Sequence, residues 1–489
     1  MHSDCVFLYS VEETVQSIAE YEAVIPIGKY QLKYTKNTPV TIFRCEGREL
    51  LIYGYAVDVM DGTYESIAEK LLKNSKTIED VITCEARLGG KYLLLYSDAT
   101  GTYAVPDATA SIPFCYTAEN APFLCACDSA YIAKKIGAEP DAKRLKIRNM
   151  GDPSQAMPYN ITVYKEIEQL LPNHYYSFSE RKAVRFVNFT EPKTPRTPEA
   201  AAMQTAPLIE NLLRFYRQHF KLYCPITSGR DSRVVLSFMR SVDKNVETYT
   251  IKHDHFSDEE PDLAIPKQIS NAFSIQHNVL YDTEPPAQMY REFEGWFEMG
   301  YSRRTLMLAY TVKSAYGDGA IINGDIMGQI GKCSLHRDIP EKFATAKYFR
   351  CKLHNYSKAS VAYLEEWIAE IKASKENVNL FDLFSLENRM GRWAAQANLI
   401  YSMLGQPNLN IFNSRSIIYP WTLVPRKDRK LSKIHTALIQ MKDPSLLNVP
   451  FGTDKNIFET IAKWNGISYY FASFAKYCIE KCRYLYAHR

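Results

Sequence analysis

The stretch Cys224-Pro225-Ile226-Thr227-Ser228-Gly229-Arg230-Asp231-Ser232-Arg233 constrains this chain more than any other. LYCPI (222–226) has the composition of a short buried strand, and SRVVLSFMRSV (232–242) has helical spacing. Around it strands and helices alternate. ETYTI (247–251), NVLYD (278–282) and GAIING (319–324) read as strands, and EPDLAIPKQISNAF (260–273) as a helix. That alternation predicts a parallel sheet with helices on its faces, and ligands bind at the carboxyl ends of such strands. A loop there with Thr227, Ser228, Gly229 and Ser232 offers N–H groups and hydroxyls to phosphate oxygens, helped by the positive end of the helix. Gly229 lets the backbone approach closely. Asp231 suits such a loop if it holds a Mg²⁺ that bridges the phosphates. The same residues also suit a plain strand–turn–helix junction capped by Ser and Asp, so the residues alone leave both readings open.

Upstream the pattern differs. VFLYS, QLKYT, TIFRC, LLIYGYAV, KYLLLYSD, TYAVPD and HYYSFS are short, β-branched or aromatic runs, interrupted by helical patterns such as YESIAEKLLKN. This predicts a β-rich α+β domain over 1–190. EPKTPRTPEA (191–200) is the boundary: its prolines stop any helix, and Thr197-Pro198 then reads as an N-cap with proline at the first helical position. A second domain is expected over 198–489, with a mainly helical carboxy-terminal part. The 489 residues suit two or three domains. A net charge of +4 gives no reason to expect a nucleic acid or membrane-surface partner. No signal peptide or spanning run is visible, and the 11 cysteines match neither a disulfide scaffold nor a zinc site, which predicts a cytoplasmic setting.

TSGRDSR (227–233) resembles the pyrophosphate loop of the asparagine-synthetase and β-lactam-synthetase type ATP pyrophosphatases, [S/T]-G-G-x-D-S. Thr227, Gly229, Asp231 and Ser232 match, Ser228 replaces the first glycine, and Arg230 and Arg233 are additions. YTIKHD (249–254) resembles the strand that holds adenine through backbone atoms, and PDLAIPKQISNAFSIQHNVL (261–280) the segment after it, with Asp262 at its acidic position. ENRMGRWAAQANLIYS (387–402) and FNSRSIIYPWTLVPRKDRK (412–430) resemble the helical carboxy-terminal half. GGKYLLLYSDATGTYAVPDATASIPFCYT (89–117) and LPNHYYSF (171–178) resemble the family's amidotransferase domain. The resemblance implies an Ntn amidotransferase-like β-sandwich followed by an α/β adenine-nucleotide α-hydrolase-like (PP-loop) synthetase domain.

Three departures stand out. The family's glutaminase needs an amino-terminal cysteine, whereas position 2 is His2 and Cys5 lies in an apparent strand, so the amidotransferase domain is expected to be inactive. The family's second acidic motif reads Asn323-Gly324-Asp325-Ile326-Met327-Gly328-Gln329; Asp325 remains, while Gly328 and Gln329 replace an Asp-Glu pair. The late lysine motif reads Val449-Pro450-Phe451-Gly452, with Phe451 at the lysine position and Lys455 as the candidate substitute.

The resemblance implies an AMP-forming carbon–nitrogen ligase that adenylates a carboxylate with ATP and Mg²⁺ and passes it to an amine. The expected ATP-binding residues are Thr227, Ser228, Gly229, Arg230, Ser232, Thr250, Ile251 and Gly324; Asp231 and Asp325 hold the metal; Asp231, Glu387 and Lys455 are catalytic. His253 is a second candidate base; Glu387 paired with Arg389 or Arg392 is the structural alternative for that residue. The expected substrates are a small-molecule or peptide carboxylate and amine, as in lasso-peptide cyclases or surface-polysaccharide synthesis. A homodimer or a partner biosynthetic protein is compatible. The competing reading is a nucleotide-binding pseudoenzyme or assembly subunit.

Overall fold

The computed structural model describes residues 9–12, 23–150, 157–186, 194, 196–296, 303–374, 378–452 and 465–487. The strands of the first part are β1 (Tyr9–Glu12), β2 (Ala23–Ile27), β3 (Tyr30–Tyr34), β4 (Val40–Cys45), β5 (Arg48–Asp58), β6 (Leu88–Ser97), β7 (Thr102–Pro106), β8 (Cys115–Thr117), β9 (Cys125–Ala126), β10 (Ile167–Gln169), β11 (His174–Ser177) and β12 (Lys182–Arg185). They form two antiparallel sheets, in the orders β10-β8-β9-β1-β3-β2 and β12-β11-β7-β6-β5-β4. Alternation along β5 explains their packing. Leu51 and Tyr53 face β1 and β3 across the sandwich, through Tyr9, Val11 and Leu32. Leu50 and Ile52 face outward onto Leu71, Leu72, Val81 and Ile82 of the helices Ile67–Lys73 and Ile78–Glu85. Both faces are buried, so LLIYGYAV carries no polar alternation.

The second part holds a five-stranded sheet, β13 (Leu222–Pro225), β14 (Glu247–Lys252), β15 (Gln276–Tyr281), β16 (Ala320–Asn323) and β17 (Asn408–Asn410). Its order is β15-β14-β13-β16-β17 and every pair is parallel. The chain thus steps from β13 to β14 on one side and returns to β16 on the other, which makes the β13–β16 junction a topological switch point. The helices Pro198–His219, Arg230–Val242 and Lys433–Lys442 cover one face through Leu212, Val234, Phe238 and Leu438, all fully buried and each stabilising by roughly 1.5–3 kcal/mol. Val312 of the helix Arg303–Tyr316 packs on the other face against Tyr223, Tyr249 and Ile321. The helix from Pro198 starts as expected, with Thr197 Oγ1 accepting from the Ala200 N–H at 3.1 Å.

The protein is therefore a mixed α/β molecule with two antiparallel sheets and one parallel sheet. The sequence pattern does not predict β17: Asn-Leu-Asn has no apolar run, and only its place beside β16 makes it a strand. The two parts share a core, since Val57, Val59 and Ala108 pack into the apolar cluster beneath the parallel sheet. Among the described residues no helix is long and apolar enough to cross a membrane.

Candidate functional site

β13 ends at Pro225, and the loop Ile226–Gly229 leads into the helix Arg230–Val242 at the switch point. The loop is built by its own side chains. Ser232 Oγ accepts from the Thr227 N–H at 3.1 Å, Thr227 Oγ1 accepts from the Gly229 N–H at 3.2 Å, and the two hydroxyls lie 3.2 Å apart. Asp262 accepts from both the N–H and the hydroxyl of Ser228, at 2.9 and 2.6 Å. Thr250 donates its hydroxyl to the Ile226 carbonyl at 2.6 Å, so that hydroxyl holds the strand end in place. Gly229 caps the helix without a side-chain bond, and the N–H groups of Arg230, Asp231 and Ser232 precede any carbonyl four residues back within the helix. Those donors and the helix dipole suit an anion.

Asp231 sits in the first turn of that helix. Its Oδ1 lies 2.6 Å from Nε2 of His435, a fully buried residue of the helix Lys433–Lys442. Burial raises the Asp231 pKa, but the hydrogen bond and charge of His435, with Lys332 and Arg337, outweigh it and hold the carboxyl below its ordinary value. Its side chain still keeps 39% of its surface accessible. Gly324 and Gly328 make room for it. A Cβ on Gly328 would stand 2.7 Å from Asp231 Oδ2, and one on Gly324 would stand 3.2 Å from the Asp231 carbonyl oxygen. The glycine read as replacing an acidic residue is thus the residue that admits Asp231.

Asp325, just past the end of β16, completes the pair. Burial, and then the charge of Asp231, push its carboxyl up to about 6. The charge of Asp231 thus acts on Asp325, and a cation near the two acids would offset that repulsion. No group of three or more His, Cys, Asp or Glu that could hold a metal exists among the described residues. Mg²⁺ is commonly held by one or two carboxylates plus phosphates, so Asp231 and Asp325 are the residues here that could hold one.

A cavity of about 400 Å³ opens along the carboxyl ends of β13, β14 and β16 and reaches Asn408 at the start of β17. Thr227, Thr250, Ile251 and Asp325 line it, so four expected site residues meet in one space. Tyr249, Ile321, Trp393 and Tyr401 add flat apolar walls. His253 also lines it, with Nδ1 3.0 and 3.1 Å from the two oxygens of Asp282.

Glu387 does not belong to the site. Its carboxylate accepts from both terminal nitrogens of Arg185 at 2.8 and 2.7 Å, from Asn173 at 2.8 Å and from the Trp367 indole at 2.7 Å. Every acceptor direction is spent, and Arg185, rather than Arg389 or Arg392, is its partner. A catalytic base cannot be so fully bonded, and Glu387 is absent from the cavity lining. Lys455, like His2 and Cys5, lies outside the described residues. Two residues escape a reading of the sequence. His435 is 204 positions from Asp231 in a helix of ordinary composition, with no local signal. Phe451 stands out in the sequence only as a missing lysine, yet its ring meets two arginines of the loop helix.

No family model matches this chain, and no curated protein matches it. Among solved structures, an NMN synthetase from Francisella tularensis is similar at 13% identity and a TM-score of 0.21, covering 38% of this chain and 77% of that one. A glutamine phosphoribosylpyrophosphate amidotransferase from B. subtilis, complexed with ADP and GMP, is similar at 14% identity and a TM-score of 0.23, covering 63% and 64%. An allosteric regulatory enzyme of purine biosynthesis gives 12% identity, a TM-score of 0.22 and 60% of each chain. This chain thus spans less than two thirds of the latter two. Scores this low do not bear on activity, and the architecture above stands on its own strand order.

Proposed function

We propose that the protein is an ATP-dependent amide-forming ligase that adenylates a carboxylate, releases pyrophosphate and passes the acyl group to an amine. The observation that carries this reading is the single cavity joining the Thr227 loop to Asp325 at the switch point of a parallel sheet. Adenine would lie against Thr250 and Ile251, and the triphosphate tail on the N–H groups and hydroxyls of 227–232. Asp231 and Asp325 would hold Mg²⁺, which would neutralise phosphate charge. With Oδ1 of Asp231 turned to His435, Oδ2 is the oxygen left to a ligand. The loop donors would stabilise charge that builds on the leaving pyrophosphate. The Asp282–His253 pair, with Nδ1 fixed by the carboxylate, is the base that best fits proton removal from the amine.

On the same reading residues 1–190 form a degenerate amidotransferase-like domain and 198–489 the synthetase domain, with a peptide or small-molecule carboxylate as substrate. A second reading, a nucleotide-binding subunit without turnover, is favoured by Phe451 standing where the family places a lysine. Purified protein given Mg–ATP and candidate acids, scored for pyrophosphate release, separates the two. Release that disappears in Asp231→Ala, with the melting curve preserved, supports the ligase. Release that persists at the parent rate in Asp231→Ala removes the site assignment, and nucleotide binding without release favours the second reading.

A further inference from the structure

A second cavity, of about 210 Å³, opens at the edge of the sandwich, where β10 borders one sheet and β12 the other. It shares no lining residue with the cavity at the switch point. β8 and β9 separate β10 from β1, so it also stands apart from the first strand of the chain. The helix Ser360–Ser374 of the second part contributes Glu370 to its wall. Its volume is below the about 300–1,000 Å³ of pockets for drug-sized molecules, so it suits a smaller one.

Most charged groups in that wall are already committed. Arg181 donates to the carbonyls of Ala118, Glu119 and Ala121 at 2.9, 2.9 and 2.7 Å, and to the Thr117 hydroxyl at 3.0 Å. Lys182 is exposed at the rim, with Nζ 2.9 Å from Glu180. Glu370 accepts from Tyr159 and Arg185, each at 3.2 Å, and lies 3.0 Å from His174. Glu168 differs. The Tyr116 hydroxyl and the Asn160 amide both donate to one of its oxygens, Oε2, at 2.9 and 3.1 Å, and among the described residues nothing donates to Oε1. Burial raises the Glu168 pKa, and the Tyr116 bond and the Arg144 charge lower it by less. A half-buried carboxylate with one open oxygen gains most from a cation that also donates hydrogen bonds. A primary ammonium is compact and carries three donors. Tyr116 and Tyr159 add aromatic surface for the carbons beside the charge. A ligand carboxylate would meet only the committed Arg181 and Lys182, so an amine without one fits best.

We propose that this cavity binds the primary ammonium group of a small amine, with Glu168 as its counter-ion. The site is independent of the nucleotide reading above and stands or falls without it.

Calorimetry on the full chain tests it, with ethylammonium, the neutral 1-propanol and glycine as separate probes. Ethylammonium is expected to bind saturably, 1-propanol to show no saturable binding, and glycine to bind more weakly than ethylammonium. Glu168→Gln keeps an oxygen that accepts from Tyr116 and Asn160, so its melting curve should match the parent. It is expected to weaken ethylammonium by about tenfold, the loss of a charge-assisted hydrogen bond. Lys182→Glu, an exposed change that leaves the interior in place, is expected to tighten ethylammonium by about two- to threefold, since an anion replaces a cation at the rim. A wild-type chain that does not bind ethylammonium overturns the proposal, as does parent affinity in Glu168→Gln or equal binding of 1-propanol. Unchanged or weakened affinity in Lys182→Glu overturns it too, even where Glu168→Gln fails to fold. Glycine binding as tightly as ethylammonium overturns the restriction to amines without a carboxylate.

Discussion

His435 holds one oxygen of Asp231 from inside the core, and its other ring nitrogen has no hydrogen-bond partner among the described residues. A buried histidine committed to a single polar contact tells how much that contact contributes. Hydrogen bonds to charged groups are worth about 1.5–3 kcal/mol, so His435→Leu should lower unfolding free energy by that order, read from urea denaturation. His435→Gln keeps a donor and should recover part of the loss. An unchanged denaturation midpoint in His435→Leu would mean that Asp231 needs no fixing and that His435 does not set which carboxylate oxygen faces the loop.

At the scale of elements, the turn after β16 and the first turn of the helix Arg230–Val242 approach so closely that a Cβ on Gly328 would stand 2.7 Å from Asp231 Oδ2. Gly328→Ala should push its new methyl against Asp231 Oδ2, which cannot retreat freely while His435 holds the other oxygen. The expected result is Mg–ATP affinity weakened by roughly tenfold, with a stability change of about 1–3 kcal/mol, since overpacking displaces the carboxylate rather than emptying the core. Calorimetry beside a melting curve would show both, and unaltered affinity would mean that Oδ2 faces nothing of consequence.

That close approach also marks what the sequence can tell. The strand, loop and helix around Thr227 are legible because apolar spacing, a proline-capped upstream helix and the Thr227-Ser228-Gly229 loop are all local signals. Asp231 and Asp325 can be singled out, one an acid where the loop after a strand becomes a helix, the other an acid just past a strand end. The reason for Gly328 cannot, because the atom it avoids belongs to a residue almost a hundred positions earlier. Glu387 misleads for the same cause: on its own helix it is an acid near arginines, and its true partner, Arg185, comes from a strand 202 positions upstream.

Across the whole molecule, a chain of buried and half-buried charges ties the antiparallel sheets to the helical part. Arg185 on β12 spans Glu387 and Glu370, and Glu370 also meets His174 of β11 at 3.0 Å and Tyr159 at 3.2 Å. Burial raises the Glu370 pKa, but the bonds and charges of His174 and Arg185 reverse this and bring it to about 2 from an ordinary 4.5. The folded state therefore keeps Glu370 ionised where the unfolded chain would protonate it. The stabilisation is complete above pH 4.5 and disappears as pH falls toward 2, with a ceiling of roughly 3 kcal/mol. Unfolding free energies between pH 2 and 7 should show an acid limb that flattens in Glu370→Gln; a limb of identical slope would place the acid sensitivity elsewhere.

The turn that follows β17 carries a consequence for how such a chain can change over time. Asn413 gives its amide to the Gly90 carbonyl and to Asp107, Ser414 bridges Gly89, and Arg415 binds Glu85 and Asn173. The strand that borders the cavity is thus moored on the sandwich. A lineage that abandoned chemistry in its first half would still be unable to delete it, because selection on the second half keeps it as a foundation.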